Sequence, residues 1–146
     1  MITKIDHINI SVSDLEKATE CFTELLNFQI THQGQLEGEW IDKVVGLENV
    51  KGRYVQLSIP NTETNLELIK YDTPSGEKEA KISLANQIGL RHLAFTVTNI
   101  EEIYGNLKKN GVKFFSEIQV YNKSKKLCYF LGPDGVILEL SEYGNY

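Results

Sequence analysis

The sequence predicts an α+β fold made of two tandem βαβββ modules, and three observations carry that reading: a repeated histidine-bearing strand, a repeated glutamate-bearing strand, and the same order of hydrophobic periods in both halves. Ile5-Asp6-His7-Ile8-Asn9-Ile10-Ser11-Val12-Ser13-Asp14-Leu15-Glu16 aligns with Leu90-Arg91-His92-Leu93-Ala94-Phe95-Thr96-Val97-Thr98-Asn99-Ile100-Glu101. Histidine falls on histidine at a shift of 92 − 7 = 85 residues. Leu66-Glu67-Leu68-Ile69-Lys70-Tyr71 aligns with Leu138-Glu139-Leu140-Ser141-Glu142-Tyr143, at a shift of 139 − 67 = 72.

In the first module, alternation over residues 5–12 predicts a strand, and Ser13 or Asp14 caps a helix over about 14–26 that Asn27-Phe28 closes. Ala18, Phe22 and Leu25 give this helix one apolar stripe. Strands follow near 28–34, 52–59 and 64–71, the last two joined through the turn-forming Pro60-Asn61-Thr62-Glu63. In the second module a strand at 90–97 leads to a helix at about 99–109, striped by Ile103 and Leu107 and ending at Asn110-Gly111. Strands near 112–121, 125–131 and 135–142 complete it, with Gly132-Pro133-Asp134-Gly135 as the last hairpin turn. Residues 35–51 read as an irregular insertion of the kind that serves as a lid or binding loop, which singles out Trp40, Asp42 and Glu48. The chain is read as one domain, 1–146, with module 1 over about 1–72, a polar linker over about 73–89 carrying a short helical turn around 80–86, and module 2 over about 90–146.

A hydrophobic content of 41% with 24% charged residues is that of an ordinary water-soluble domain, and a net charge of −5 argues against a nucleic-acid partner. No apolar run approaches the roughly 20 residues needed to span a bilayer, so no membrane partner is expected. The N-terminus shows no secretory pattern, which predicts a cytoplasmic location. Cys21 and Cys128, without CxxC or framework spacing, are expected to be reduced packing residues. His32 is read as a rim residue, and Tyr71, Tyr121, Tyr129 and Tyr143 as packing at strand ends, with one of them free to donate a hydrogen bond to substrate.

Alternation along a strand puts His7, Asn9 and Ser11 on one face and Ile8, Ile10 and Val12 on the other; His92, Ala94 and Thr96 repeat the arrangement. The aliphatic face should meet the helix, which turns each histidine away from it. Glu67 lies between Leu66 and Leu68, and Glu139 between Leu138 and Leu140, so each glutamate shares the histidine's face. Carboxylates in a partly enclosed place cost several kcal/mol unless paired or bound to a cation. No Lys or Arg is expected beside either glutamate, leaving Arg53 or Arg91 to reach in from elsewhere. The set His7, Glu67, His92 and Glu139 therefore predicts a divalent transition metal, Ni, Zn, Co, Mn or Fe, with open positions for substrate.

Taken together, Ile5-Asp6-His7-Ile8, Leu66-Glu67-Leu68, Arg91-His92-Leu93-Ala94-Phe95 and Gly132-Pro133-Asp134-Gly135-Val136-Ile137-Leu138-Glu139-Leu140 resemble the vicinal oxygen chelate superfamily, which includes glyoxalase I, methylmalonyl-CoA epimerase, extradiol dioxygenases and fosfomycin-inactivating thiol transferases. The resemblance covers nearly the whole chain. It implies a curved, partly open mixed β-sheet barrel with helices outside, and metal ligands on the first and last strands of each module, at His7, Glu67, His92 and Glu139. It also implies a lyase or isomerase that stabilises an enolate-type intermediate of an α-oxo or thioester substrate, with Glu67, Glu139 or, by likeness to the epimerase, Glu48 moving the proton. A homodimer acting on a small molecule is implied as well. Two other readings stand beside it: a metal-free module that sequesters a small molecule, and an extradiol-type dioxygenase, against which the fourth ligand Glu67 counts.

Overall fold

The computed structural model describes residues 1–77 and 82–146, and the chain divides into two compact units, Met1–Glu77 and Lys78–Tyr146. Each holds its own open, four-stranded mixed sheet in an α+β arrangement.

In the first unit β1 (His7–Ser11) leads into α1 (Leu15–Glu20), whose last turn widens into a π-helical stretch, Cys21–Leu25. Asp14 supplies the cap by accepting the Lys17 backbone N–H at 3.0 Å. The end is closed by Asn27 in the left-handed region, φ 60°, with the Phe28 N–H reaching back to the Phe22 carbonyl at 3.0 Å. The sheet continues with β2 (Gln29–Glu37), β3 (Lys51–Ser58) and β4 (Asn65–Thr73), in the order β1-β4-β3-β2; β1 is parallel to β4 and the other pairs are antiparallel. Leu15, Ala18 and Phe22 of the helix are buried, as are Leu57, Leu66 and Leu68 of the strands, and α1 packs on β3 and β4. Burial of this kind is what makes a short helix stable in a chain where it would not be stable alone.

Residues 35–51 differ from the irregular insertion expected of them. Their first part extends β2 to Glu37, and a further helix, α2 (Glu39–Val45), follows. Gly38, at φ 96°, turns the chain into it, and Gly46, at φ 68°, ends it. Asp42 then ties the exit down, accepting from the backbone N–H groups of Asn49 at 3.0 Å and Val50 at 2.8 Å. The pattern was hard to read because the apolar residues of α2 lie on both sides of it: Ile41 is buried, whereas Trp40 and Val44 are exposed. Ile41 packs with Leu36, Val50 and Ile69, bordered by Tyr54 and Tyr71. Ile69 and Tyr71 alternate with Leu68, so α2 covers the sheet face opposite α1.

The second unit repeats the order. β5 (His92–Thr96) is followed by α3 (Ile100–Lys109), then by β6 (Gln119–Tyr121), β7 (Lys125–Leu131) and β8 (Ile137–Tyr143), arranged β5-β8-β7-β6 with β5 parallel to β8. The expected strand over 112–121 is broken: Phe114 bridges Phe130 on its own, and regular pairing resumes only at Gln119. Gly132–Gly135 forms the expected tight turn, closed by the Gly132 N–H on the Val136 carbonyl at 2.8 Å. Ile100, Leu107, Phe130, Leu138 and Leu140 are buried in this unit. The first strands end alike: Val12 N–H bonds the Ile69 carbonyl and Val97 N–H the Ser141 carbonyl, both at 2.8 Å. Of the helical turn expected around 80–86, residues 80 and 81 lie outside the described residues; 82–87 form turns, with the Gln87 N–H on the Leu84 carbonyl at 3.3 Å. No helix among the described residues is long and apolar enough to cross a membrane.

The repeat extends to the helix side of each sheet, where Arg53 of β3 pairs with Glu16 of α1 and Lys126 of β7 pairs with Glu101 of α3. The shifts are 101 − 16 = 85, as between the histidines, and 126 − 53 = 73, one more than between the glutamates.

Candidate functional site

Parallel pairing of β1 with β4 sets Asn9 beside Glu67, and His7 lies two residues earlier on the same face. His7 Nε2 is 3.7 Å from Glu67 Oε1. The ring's orientation has a local cause, because Asp6 Oδ2 lies 2.9 Å from Nδ1. That hydrogen bond is the main reason the Asp6 carboxyl is held below the usual carboxylate range. In the tautomer whose Nδ1–H donates to Asp6, the Nε2 lone pair is left on the Glu67 side, the arrangement that prepares a histidine to bind a cation. Asp6 was not singled out from the sequence, although an acidic residue next to a candidate ligand is the available signal.

In the second unit β5 and β8 set Ala94 beside Glu139, and His92 Nε2 comes within 3.1 Å of Glu139 Oε2. The other carboxylate oxygen is occupied. Glu139 Oε1 accepts from Lys125 Nζ at 2.8 Å and from Ser141 Oγ at 2.6 Å. This overturns the expectation that neither glutamate has a cation beside it: Lys125 faces Tyr143 across the β7–β8 ladder and so falls on the same sheet face as Glu139. Arg53, by contrast, is engaged with Glu16 on the helix side. The Glu139 side chain is only 5% exposed, and burial pushes its carboxyl up. The hydrogen bonds from Lys125 and Ser141, with the charges of Lys125 and His92, outweigh burial and hold it below the usual range. The Lys125 ammonium is correspondingly raised, first by its hydrogen bond to Glu139.

Around this half lies an aromatic wall. Tyr129 stands opposite Glu139 in mid-strand rather than at a strand end, its ring centroid 4.8 Å from that of His92, with Phe115 edge-on to it at 6.2 Å. Lys125 Nζ lies 5.4 Å from the centre of the Tyr143 ring. Cys128, on the other face of β7, is pushed up to about 11 by burial and by the charge of Glu139, so it is no nucleophile. His32 is exposed on β2 opposite Gln56, its ring 5.7 Å from that of Tyr54.

Each unit therefore brings together one histidine and one glutamate. Among the described residues, no group of three or more His, Cys, Asp or Glu side chains is placed to hold a metal ion. Glu48 is exposed on the stretch between α2 and β3, and among the described residues it shares no hydrogen bond or ion pair with His7 or Glu67. The chemistry of each donor pair fits a divalent cation: two ligands about 2.1 Å from one ion lie about 3.0 Å apart at a right angle and farther apart at wider angles, and the two N···O separations are 3.1 and 3.7 Å.

The family model of the Glyoxalase/Bleomycin resistance protein/Dioxygenase superfamily matches residues 4–140, and the chain belongs to that superfamily. Among solved structures it is similar to a glyoxalase family protein from Bacillus cereus, at 26% identity and a TM-score of 0.90, over 98% of this chain and 95% of that one. It is 28% identical to the Bacillus subtilis protein YwkD over 97% of this chain and 98% of that protein. It is also 27% identical to the lactoylglutathione lyase of Schizosaccharomyces pombe, over 94% of this chain and 46% of the lyase.

Proposed function

We propose that His7, Glu67, His92 and Glu139 hold one divalent transition metal and that the chain is a lyase or isomerase acting at a carbon next to a carbonyl of an α-oxo or thioester substrate. One observation carries the reading: the same histidine–glutamate pair recurs at equivalent strand positions in both units, with N···O separations of 3.7 and 3.1 Å. The likeness to lactoylglutathione lyase supports the reaction class.

When bound, the metal stabilises the negative charge that develops on a substrate oxygen as the adjacent C–H is lost. The proton needs a carboxylate with a free lone pair. Glu139 has given one oxygen to Lys125 and Ser141, whereas the Glu67 carboxylate, 19% exposed, has His7 at 3.7 Å as its ion-pair partner among the described residues. Glu67 thus takes the proton, with Glu139 as the fixed ligand, and Asp6 keeps His7 Nε2 available. Tyr129, whose ring lies 4.8 Å from that of His92, offers an aromatic face to a substrate held beside that histidine.

The test is elemental analysis of untagged protein, wild type and Glu139→Ala. About one transition metal per chain, lost in the variant, is the expected result, and it justifies screening α-oxo thiol adducts and acyl thioester epimers. Protein that neither carries metal nor takes it up on titration leaves a metal-free small-molecule binder as the better account. That second reading has its own support, because Lys125 already neutralises Glu139 without any metal.

A further inference from the structure

On the helix side of the two sheets the repeat exposes a difference. In the second unit the Lys126–Glu101 ion pair between β7 and α3 is covered: the centre of the Tyr146 ring lies 4.3 Å from Lys126 Nζ, and the Tyr146 N–H is anchored on the Lys123 carbonyl at 2.8 Å. Tyr104 of α3 packs on Phe114, with ring centroids 4.4 Å apart. In the first unit the equivalent pair, Arg53–Glu16, borders an open groove of about 760 Å³ between α1 and the strands β2 and β3. Thr19 lines it at the position of Tyr104, 104 − 19 = 85, and is too short to fill it.

The charge of the groove is also particular to the first unit. Glu20 and Glu24 line it, where the second unit has Gly105 and Lys109 at the same shift. Among the described residues neither glutamate has an ion-pair partner, and Arg53, already paired with Glu16, is the one cation in the lining. Nearby, Lys70 is paired with Asp72 and Lys17 with Asp14, so neither alters the balance. Three carboxylates against one guanidinium leave two negative charges around a groove whose lining includes the buried Val55. A guanidinium fixed by a carboxylate is a surface on which an aromatic ring stacks. Arg53 keeps 40% of its side chain exposed for that, and the second unit already places a ring on the corresponding ammonium. Glu20 follows Glu16 by one helical turn, about 6 Å, the reach of an amine carried two carbons from a ring.

We propose that this groove, on the sheet face opposite Glu67 and independent of the metal reading, binds a small aromatic amine, its ring stacked on Arg53 and its ammonium bonded to Glu20 and Glu24. Recognition is divided between π-face and charge. Neither an aliphatic amine nor a neutral arene satisfies both.

The experiment is a two-dimensional amide NMR titration of the full chain with tyramine and two control ligands: 2-cyclohexylethylamine, which keeps the charge without the π-face, and 4-ethylphenol, which keeps the ring without the charge. Tyramine is expected to give saturable shifts confined to residues 16–24, 33–35 and 53–55, with a Kd of about 1 mM or tighter. Each control ligand is expected to bind at least about fivefold more weakly. The double substitution Glu20→Gln with Glu24→Gln, at exposed positions, is expected to weaken tyramine at least about fivefold, and so is Arg53→Gln, which serves as the second variant. The proposal is overturned if tyramine gives no saturable shift up to about 10 mM, or if its shifts fall on the faces of His7 and His92 instead. Equal binding of 2-cyclohexylethylamine, or undiminished binding of tyramine by folded variants, overturns it as well.

Discussion

Glu139 and Lys125 are a partly buried ion pair whose protonation is linked to folding. The Glu139 carboxyl sits below its usual value and the Lys125 ammonium above. A depressed carboxyl adds stability above the unfolded value, about 4.3, and loses it as pH falls through the folded value; a raised ammonium adds stability below about 10.4 and loses it as pH rises through the folded value. The pair therefore stabilises between those limits. Lys125→Met, which leaves a carboxylate 5% exposed without its cation, is expected to destabilise the metal-free chain by about 3 kcal/mol at neutral pH in urea unfolding. The deficit should shrink as pH falls through the folded Glu139 value, below the usual carboxylate range, where the carboxyl takes up its proton. An equal deficit at pH 3 and pH 7 contradicts this account.

Within elements, α1 is held by burial of its apolar stripe and α2 by the anchoring of its exit. Phe22, fully buried beneath the π-helical turn and edge-on to Phe28 at 5.4 Å, is the largest such contact. Phe22→Ala is expected to lower the unfolding free energy by about 3–5 kcal/mol, through lost burial and the cavity left behind. Asp42→Ala removes the acceptor of two backbone N–H groups, at Asn49 and Val50, and is expected to cost about 1–3 kcal/mol. Hydrogen exchange localises the second effect: faster exchange confined to Asn49, Val50 and the end of α2 is the expected pattern. Uniform loss of protection across the first unit contradicts it.

At the scale of the whole molecule, each unit carries one histidine–glutamate pair, and among the described residues no group of three or more metal-type ligands is gathered. Metal stoichiometry then distinguishes one shared ion from two separate ones. His7→Ala and His92→Ala are each expected to bring bound metal from about one per chain to nearly none. Two ions per wild-type chain, with each substitution removing one, would show instead that the units bind independently.

Determined by the sequence alone were the two-module fold, the paired His–Glu strands and the helix-side stripes, because strand alternation and helical spacing are local periodicities visible without a fold. The last turn, Gly132–Gly135, was legible for the same reason. What tertiary structure decided was every contact made across the ladders. Lys125 is 14 residues from Glu139 and is adjacent to it only because the hairpin register sets Lys125 opposite Tyr143. Counting back from the recognised turn would have put Lys125 on that face; the expectation of no neighbouring cation failed because strand faces were compared within each strand and not between partners. In the same way α2 was missed because its apolar residues divide between the Leu36, Ile41, Val50 and Ile69 cluster and an exposed side, a division set by packing. Local pattern fixes which residues share a face of one strand; only pairing fixes which of them meet.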